Sequence, residues 1–180
     1  MQNNENVTAS LRIMCDGLRC SVGLNMIIEA TESDFDALLS GIAPRDLRLV
    51  PDSPIAPADV LQMLADLANG LRPHFSPAAW MIVEGDEIVG LCSVVRIPEG
   101  GELHIGYGVA PTRQGMGAAT RAVASLLAEA QRDTRISAVS AETSIDNIAS
   151  QRVLERNGFQ RIGERVDAQD GPVICYCVFP

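Results

Sequence analysis

The stretch VAPTRQGMGAATRAVASLLAEA, residues 109–130, decides the fold of this chain. An apolar strand end breaks at Pro111, passes through a short polar loop that contains Gly115 and Gly117, and opens into an alanine-rich helix. Glycine at the start of a helix has two explanations: a tight strand-to-helix turn, or a loop whose bare amides lie against a phosphate. A helix N-terminus has unpaired N–H groups and a partial positive charge, so it attracts anions. The stretch alone leaves both explanations open.

A dinucleotide-binding turn is a third explanation, because Gly115, Gly117 and Thr120 have the spacing of that fingerprint. Glu142 ends the next predicted strand, where a ribose-binding acid would be expected. Three features disfavour this explanation. The third small residue is a threonine, four polar or proline residues precede the first glycine after the strand, and the unit comes late in the chain, after a hairpin.

The pattern of apolar residues predicts one α/β domain over residues 26–180, preceded by an aperiodic N-terminal extension over residues 1–25. We expect the extension to be dispensable for folding, because the strand-and-helix pattern begins at Met26. The order of elements indicates a mixed central sheet of about seven strands with helices on both faces. The predicted strands cover 27–30, 80–83, 88–97, 102–109, 136–143, 159–166 and 173–179, and the predicted helices cover 34–40, 58–69 (stopped by Gly70), 117–132 and 147–158.

Charge and composition exclude several functions. The net charge is −9, from 23 acidic residues against 14 arginines, which disfavours nucleic acid as a partner because a phosphate backbone needs a basic face. The chain has no lysine, so a lysine Schiff base and a P-loop lysine are both excluded. No apolar run approaches the roughly 18 residues of a membrane helix and no signal peptide is recognised, so we expect a cytoplasmic protein without membrane contact. The five cysteines indicate reduced thiols, and the two histidines lack zinc-ligand spacing, so no metal is expected.

A second segment distinguishes between the explanations of the glycine loop. A predicted strand over 137–142 leads to Asn147-Ile-Ala-Ser150 and then to Val153-Leu-Glu-Arg-Asn-Gly-Phe159. Together with Ile105-Gly-Tyr107, Val109-Ala-Pro111 and the Gln-x-x-Gly-x-Ala pattern of residues 114–119, this segment resembles the GNAT superfamily of acetyl-CoA-dependent N-acetyltransferases. The resemblance covers residues 26–180 in the order of elements. Each motif alone is a weak signal, but the pair in this order and at this separation is a strong one.

The resemblance implies a fold and a site for acetyl-CoA, the expected co-substrate. The fourth and fifth predicted strands would pair at one end and splay at the other, so that the pantetheine arm enters the gap and pairs with strand backbone. The diphosphate would lie on the amides of the glycine loop. Arg113 would reach a CoA phosphate or be a solvated loop residue, and Asn147 would contact the cofactor or only cap its helix. The expected cofactor-binding residues are Tyr107, Gly108, Val109, Arg113, Gln114, Gly115, Met116, Gly117, Ala118, Ala119 and Asn147.

Acyl transfer to an amine needs a base for the amine, because an aliphatic ammonium has a pKa near 10. Glu102 and His104 share one face of a strand from which the family often takes its base, so both are candidates, and Glu142 at the end of the opposite strand is a weaker one. Many family members have a tyrosine as the acid for the thiolate, seven residues after the helix-opening Asn, and this chain has Leu154 there. By analogy with relatives that share this gap, Ser150 would donate a hydrogen bond to the sulfur. Tyr107 is expected to lie on the wrong strand face for this role.

The leading hypothesis is therefore an N-acetyltransferase that acts by direct attack in a ternary complex, on an amine of a small molecule or of a protein N-terminus. A non-catalytic acetyl-CoA-binding sensor or partner domain is the alternative, and it agrees with the missing tyrosine. A nicotinamide-binding oxidoreductase is the third hypothesis. The acceptor itself cannot be identified from the sequence, and a homodimer is allowed for.

Overall fold

The structure, a computed structural model, describes residues 26–180, so the predicted N-terminal extension lies outside the described residues. The strands are β1 (Met26–Glu29), β2 (Arg48–Leu49), β3 (Ala79–Glu84), β4 (Glu87–Val94), β5 (Glu102–Val109), β6 (Ala138–Ser144), β7 (Gln160–Asp167) and β8 (Gly171–Val178). The helices are α1 (Glu32–Leu39), α2 (Ala58–Leu71), α3 (Ala118–Ala130) and α4 (Ile148–Arg156), and a short 3₁₀ turn, Pro111–Arg113, precedes α3. Their order agrees with the predicted one, apart from the additional β2.

All of these strands belong to one sheet, ordered β1-β3-β4-β5-β6-β8-β7, with β2 paired beside β4. Neighbours along this path are antiparallel except β5 and β6. These two strands pair in parallel only from Glu102 opposite Ala138 to Ile105 opposite Ala141. Beyond that point β5 continues to pair with β4, and β6 continues to pair with β8. The edge of β5 over residues 106–109 therefore borders a gap. The predicted splay is confirmed, and the largely antiparallel sheet excludes a doubly wound dinucleotide fold.

Helices cover both faces of the sheet, as predicted. On β3, Trp80 donates its indole N–H to Glu129 of α3 over 3.1 Å. Successive strand residues point to opposite faces, so Met81 points away from α3, and it is fully buried there. Helix α2 packs against both α1 and β4 and supplies this cover, whereas α3 and α4 pack together. We call the side that carries α3 and α4 the α3–α4 face, and the other side the opposite face.

Three details of the prediction were wrong. Helix α2 continues through Gly70 to Leu71, because burial of Leu71 outweighs the modest cost of glycine inside a helix. Strand β4 ends at Val94 rather than at residue 97. The short β2 lies in a segment predicted to be a proline-rich loop, and it raises the strand number to eight among the described residues. Two residues are too few to show a periodic pattern.

No helix among residues 26–180 combines the length and the apolar character that crossing a membrane requires. Within the same range, no three histidine, cysteine or acidic side chains come together as metal ligands would.

Candidate functional site

A cavity of about 490 Å³ lies between the end of β5, the glycine loop and the first turns of α3 and α4. Ten of the eleven predicted cofactor-binding residues line it, and so does Ser150. The exception is Met116, whose exposed side chain lies outside the lining. Glu102 and His104 do not line the cavity either, because they lie on the opposite face of β5 from Tyr107.

The conformation of the loop explains both of its glycines. Gly115 has φ +73° and Gly117 has φ +82°, in the left-handed region that favours glycine. A Cβ atom on Gly115 would meet nothing within 4 Å. The reason for a glycine at this position is therefore the backbone angle and not a lack of space. Gly117 is the N-cap of α3 and, as a glycine, brings no capping side chain of its own. The turn therefore requires the glycines, and the same turn directs the N-terminus of α3 toward the cavity.

Two ion pairs brace the loop and α3 against the β3–β4 hairpin. Arg113 Nε donates to Glu87 over 2.7 Å, and both side chains are half-buried or better. Arg121 of α3 pairs with Glu84 and also donates to the Met116 carbonyl over 3.1 Å. Arg113 is therefore not a free loop residue: it lines the cavity while it is bound to Glu87.

The first turn of α4 contributes Asn147 and Ser150 to the cavity. Asn147 Oδ1 accepts a hydrogen bond from the Ser150 amide over 3.0 Å, so this side chain caps the helix. Among residues 26–180 the Ser150 hydroxyl has no hydrogen-bond partner, which leaves it available to a ligand. Leu154, at the position of the family's tyrosine, is fully buried in the core.

The prediction that Tyr107 lies on the wrong strand face is incorrect. Its hydroxyl donates to the Ser150 backbone carbonyl over 3.1 Å, and the side chain lines the same cavity as Ser150. Burial raises the pKa of this phenol to about 12. The alternation within β5 shows which residues share a face of the strand, but it does not show which of the two faces α4 covers. The side of Tyr107 could therefore not be predicted from the sequence.

A chain of polar contacts connects Glu102 to His104 on the opposite face. The Ser140 hydroxyl, on β6, donates to Glu102 Oε1 over 2.6 Å and lies 2.7 Å from His104 Nδ1. Arg96 donates to the same Glu102 oxygen over 2.8 Å. These contacts with Ser140 and Arg96 lower the pKa of Glu102, whereas burial lowers the pKa of His104.

Glu142, another acidic residue near the gap, is committed to an ion pair. Arg165 of β7 donates to both of its carboxylate oxygens, over 2.9 and 2.5 Å, and lies 2.9 Å from Asp167. The bonds from Arg165 lower the pKa of Glu142. A carboxylate held in this way is a poor proton acceptor near neutral pH.

Five cavity residues escaped the sequence reasoning: Thr120, Ala149, Arg152, Val153 and Arg156. The two arginines matter most, because they lie on α4 at i and i+4 and so share one helix face. That spacing was visible in the sequence. What the sequence did not show is that this face of α4 is turned toward the glycine loop.

The geometry can be compared with known proteins. A family model described as "Acetyltransferase (GNAT) domain" matches residues 26–160, more than half of the chain. The chain belongs to the GNAT acetyltransferase family. Its described residues thus form an acyltransferase domain of the N-acetyltransferase class, and the resemblance inferred from the sequence is confirmed. A curated relative, the Bacillus licheniformis protein named "Uncharacterized N-acetyltransferase p20", is 28% identical over 120 residues. That match spans 65% of this chain and 66% of the relative, just under two thirds of its length.

Solved structures of GNAT proteins share the fold. RimL, a ribosomal L7/L12 α-N-protein acetyltransferase solved with coenzyme A, has a TM-score of 0.64 and 22% identity, with 85% of this chain and 92% of RimL covered. The aminoglycoside acetyltransferase AAC(6')-Ib, also solved with coenzyme A, has a TM-score of 0.62 and 18% identity over 86% of this chain and 94% of its own. The self-immunity acetyltransferase MccE, solved with acetyl-CoA and AMP, has a TM-score of 0.64 and 16% identity over 86% of this chain and 91% of its own.

Proposed function

We propose that this GNAT protein transfers the acetyl group of acetyl-CoA to an amine of a small molecule or of a protein N-terminus. The observation that carries the proposal is the cavity. It combines the edge of β5 over residues 106–109, which pairs with no second strand within residues 26–180 and suits an extended arm, with the N-terminus of α3, which suits a diphosphate. The relatives support the choice of chemistry, because RimL is a protein acetyltransferase and AAC(6')-Ib acts on aminoglycosides.

Acetyl-CoA supplies an activated acetyl group, and the chain supplies positioning and proton transfer. Backbone N–H groups on the unpaired β5 edge can stabilise an oxyanion without any particular side chain. The Ser150 hydroxyl, at the start of α4, has its proton available for a hydrogen bond to the departing thiolate. None of the three cysteines within residues 26–180 lines the cavity, and Cys92 is fully buried with its pKa raised to about 12 by that burial. This supports direct attack in a ternary complex rather than an acetyl-cysteine intermediate.

His104 suits the role of base better than Glu102 does. The Glu102 carboxylate already accepts bonds from Ser140 and Arg96, and its lowered pKa makes it a weak base at neutral pH. It also lies five residues from Tyr107, about 16 Å along the strand at 3.3 Å per residue. His104 is closer and neutral at pH 7, because burial lowers its pKa. Since His104 is 5% exposed, we propose that the amine proton reaches it through water.

One observation favours a second function. The tyrosine that many family members use as acid is absent, and buried Leu154 cannot replace it. The domain would then bind acetyl-CoA without turning it over, as a sensor or as a partner subunit.

A two-step experiment tests these proposals. Calorimetry with CoA, acetyl-CoA and NAD first establishes which of the three binds, and we expect the two CoA compounds only. A screen of amines, with free thiol as the readout, then separates enzyme from sensor. Thiol release that depends on one amine, with intersecting initial-velocity lines, supports direct attack in a ternary complex. Parallel lines would overturn the ternary complex, and CoA binding without thiol release for any amine would favour the sensor.

A further inference from the structure

Ser140 lies between Glu102 and His104 and contacts both side chains. From this arrangement we propose that Ser140 is a positioning residue: it holds His104 in the tautomer with the proton on Nδ1, so that Nε2 carries the lone pair and acts as the base. This inference rests on the proposed function, in which His104 accepts the proton of the amine.

The tautomer follows from counting protons. A serine hydroxyl has one proton, and an ionised carboxylate can only accept. The 2.6 Å contact between Ser140 Oγ and Glu102 Oε1 therefore uses the serine proton. The 2.7 Å contact between Ser140 Oγ and His104 Nδ1 then has no proton from the serine side, so the histidine must donate from Nδ1. Neutral histidine has a single N–H, and Nε2 is left as the acceptor.

Burial makes this arrangement stringent. Ser140 and His104 are each 5% exposed, so water does not readily replace either partner. In the other tautomer a lone pair on Nδ1 would face the lone pairs of Ser140 Oγ over 2.7 Å with no proton between them, which is unfavourable. Arg96 fixes the far end of the chain, since it donates to the Glu102 oxygen that accepts from Ser140. When His104 becomes protonated, Nδ1 keeps its hydrogen bond to Ser140 Oγ. Two hydrogen bonds then connect the positive imidazolium to the Glu102 carboxylate.

Other charged and titratable groups also act on His104. Glu102 and Glu142 favour its protonated form, and Arg96 and Arg165 disfavour it. On β8, the Cys177 thiol lies opposite Ser140 in the register, and Cys175 lies opposite Glu142. Burial raises the pKa of both thiols, so they remain neutral at pH 7. The four charged groups thus balance in number, and the hydrogen bond from Nδ1 is the contact that selects the tautomer.

Nitrogen-15 NMR of the full chain labelled at histidine measures the tautomer directly, without any substrate. The chain has two histidines, and exposed His74 provides an internal reference. We expect the Nδ1 signal of His104 to be of the protonated type and its Nε2 signal of the unprotonated type at pH 7.5. An Nε2-protonated His104 in the wild-type protein would overturn the proposal.

Variants test the cause. In Ser140→Ala, His104 should lose its preference for the Nδ1 proton, whereas Ser93→Ala, at another buried serine of the same face, should leave it unchanged. In Glu102→Gln the amide oxygen can still accept from Arg96 and Ser140. The tautomer should therefore be retained, while the loss of one negative charge moves the titration of His104 to lower pH. An unchanged tautomer in Ser140→Ala contradicts the proposal, and if that variant does not fold, a His104 protonated on Nε2 in Glu102→Gln contradicts it.

Kinetics connect the tautomer to the reaction. With an amine found by screening, Ser140→Ala should lower kcat about 10- to 100-fold at neutral pH and leave the KM for acetyl-CoA unchanged. If kcat of Ser140→Ala stays within threefold of wild type, the proposed positioning role of Ser140 is wrong, even if the tautomer of His104 changes. The failure of the proposed function would be a different result: no amine acetylated by the wild-type protein, with the tautomer still as expected.

Discussion

The Tyr107 hydroxyl on β5 donates a hydrogen bond to the Ser150 backbone carbonyl on α4, over 3.1 Å. The bond ties the end of the strand that borders the gap to the first turn of the helix that carries Asn147 and Ser150. Two residues with hydroxyl groups therefore line the same cavity. The Tyr107 proton is already used in this bond, whereas the Ser150 hydroxyl has no partner within the described residues.

We predict that Ser150→Ala lowers the rate of acetyl transfer about 10- to 100-fold across the whole pH range, for one lost hydrogen bond to the leaving thiolate. The affinity for CoA should change little, because the hydroxyl would meet only the reacting sulfur. Steady-state kinetics and calorimetry measure the two quantities. A wild-type rate in Ser150→Ala would leave the serine as a first-turn helix residue.

Tyr107→Phe is the matched variant, since it also removes one hydroxyl from the cavity wall. The loss of its bond to the Ser150 carbonyl should lower the free energy of unfolding by about 1 kcal/mol. The rate should stay within about threefold of wild type, because this phenol is not expected to serve the sulfur. The reverse outcome, a slow Tyr107→Phe and a normal Ser150→Ala, would transfer the role of acid to the tyrosine.

The glycine loop gives a second prediction. Gly117→Glu should place a carboxylate where we propose that the diphosphate lies, and weaken CoA binding by several kcal/mol. Any residue other than glycine is strained at φ +82°, and a new Cβ would approach Arg121 Nη1 to 2.7 Å. Gly117→Ala shares both costs without the charge, so the difference between the two variants isolates the repulsion. Equal CoA affinities for the two variants, in calorimetry, would argue against the diphosphate site.

The sequence was most informative where a local pattern dictates local structure. The 102–109 strand has the predicted bounds, Asn147 caps its helix, and the order of elements agrees apart from β2. It was least informative about contacts between elements. The pairing of Arg113 with Glu87, the orientation of Tyr107 and the Glu102–Ser140–His104 chain all join residues far apart in sequence. Strand register and helix orientation set these contacts, and no single segment encodes them.

Gly90 on β4 gives a third prediction. A Cβ atom at this position would lie 2.2 Å from the Gly108 carbonyl oxygen, which is backbone and cannot swing aside. Gly90→Ala should therefore displace the β5 edge, lower the free energy of unfolding by about 1–3 kcal/mol and weaken CoA binding. Gly163→Ala, in β7, is the control, because its Cβ would meet nothing within 4 Å. Urea unfolding of both variants measures the difference, and equal stabilities would contradict the close approach.

The arginines of α4 give a fourth prediction. Arg152 and Arg156 line the cavity, and Arg113 does so while paired with Glu87. We expect Arg152→Ala and Arg156→Ala each to weaken CoA binding about 3- to 30-fold, with a smaller effect at high salt, because each removes a positive charge beside a phosphate. Arg161→Ala, on exposed β7, removes the same charge from a residue that does not line the cavity and should have no effect. Salt-independent affinity losses would indicate a packing role instead.

The burial of His104 has a consequence for stability against pH. Burial lowers its pKa below the ordinary 6.5, so between that value and the folded-state value the unfolded chain binds a proton that the folded chain lacks. The free energy of unfolding should therefore fall as the pH is lowered through 6.5. Carboxylates with a lowered pKa, such as Glu102, change the free energy of unfolding only at lower pH, below their ordinary pKa of 4.5. Urea unfolding between about pH 7.5 and 5.5 measures the slope. His104→Gln should flatten it and exposed His74→Gln should retain it; a slope that survives in His104→Gln would assign the effect to another group.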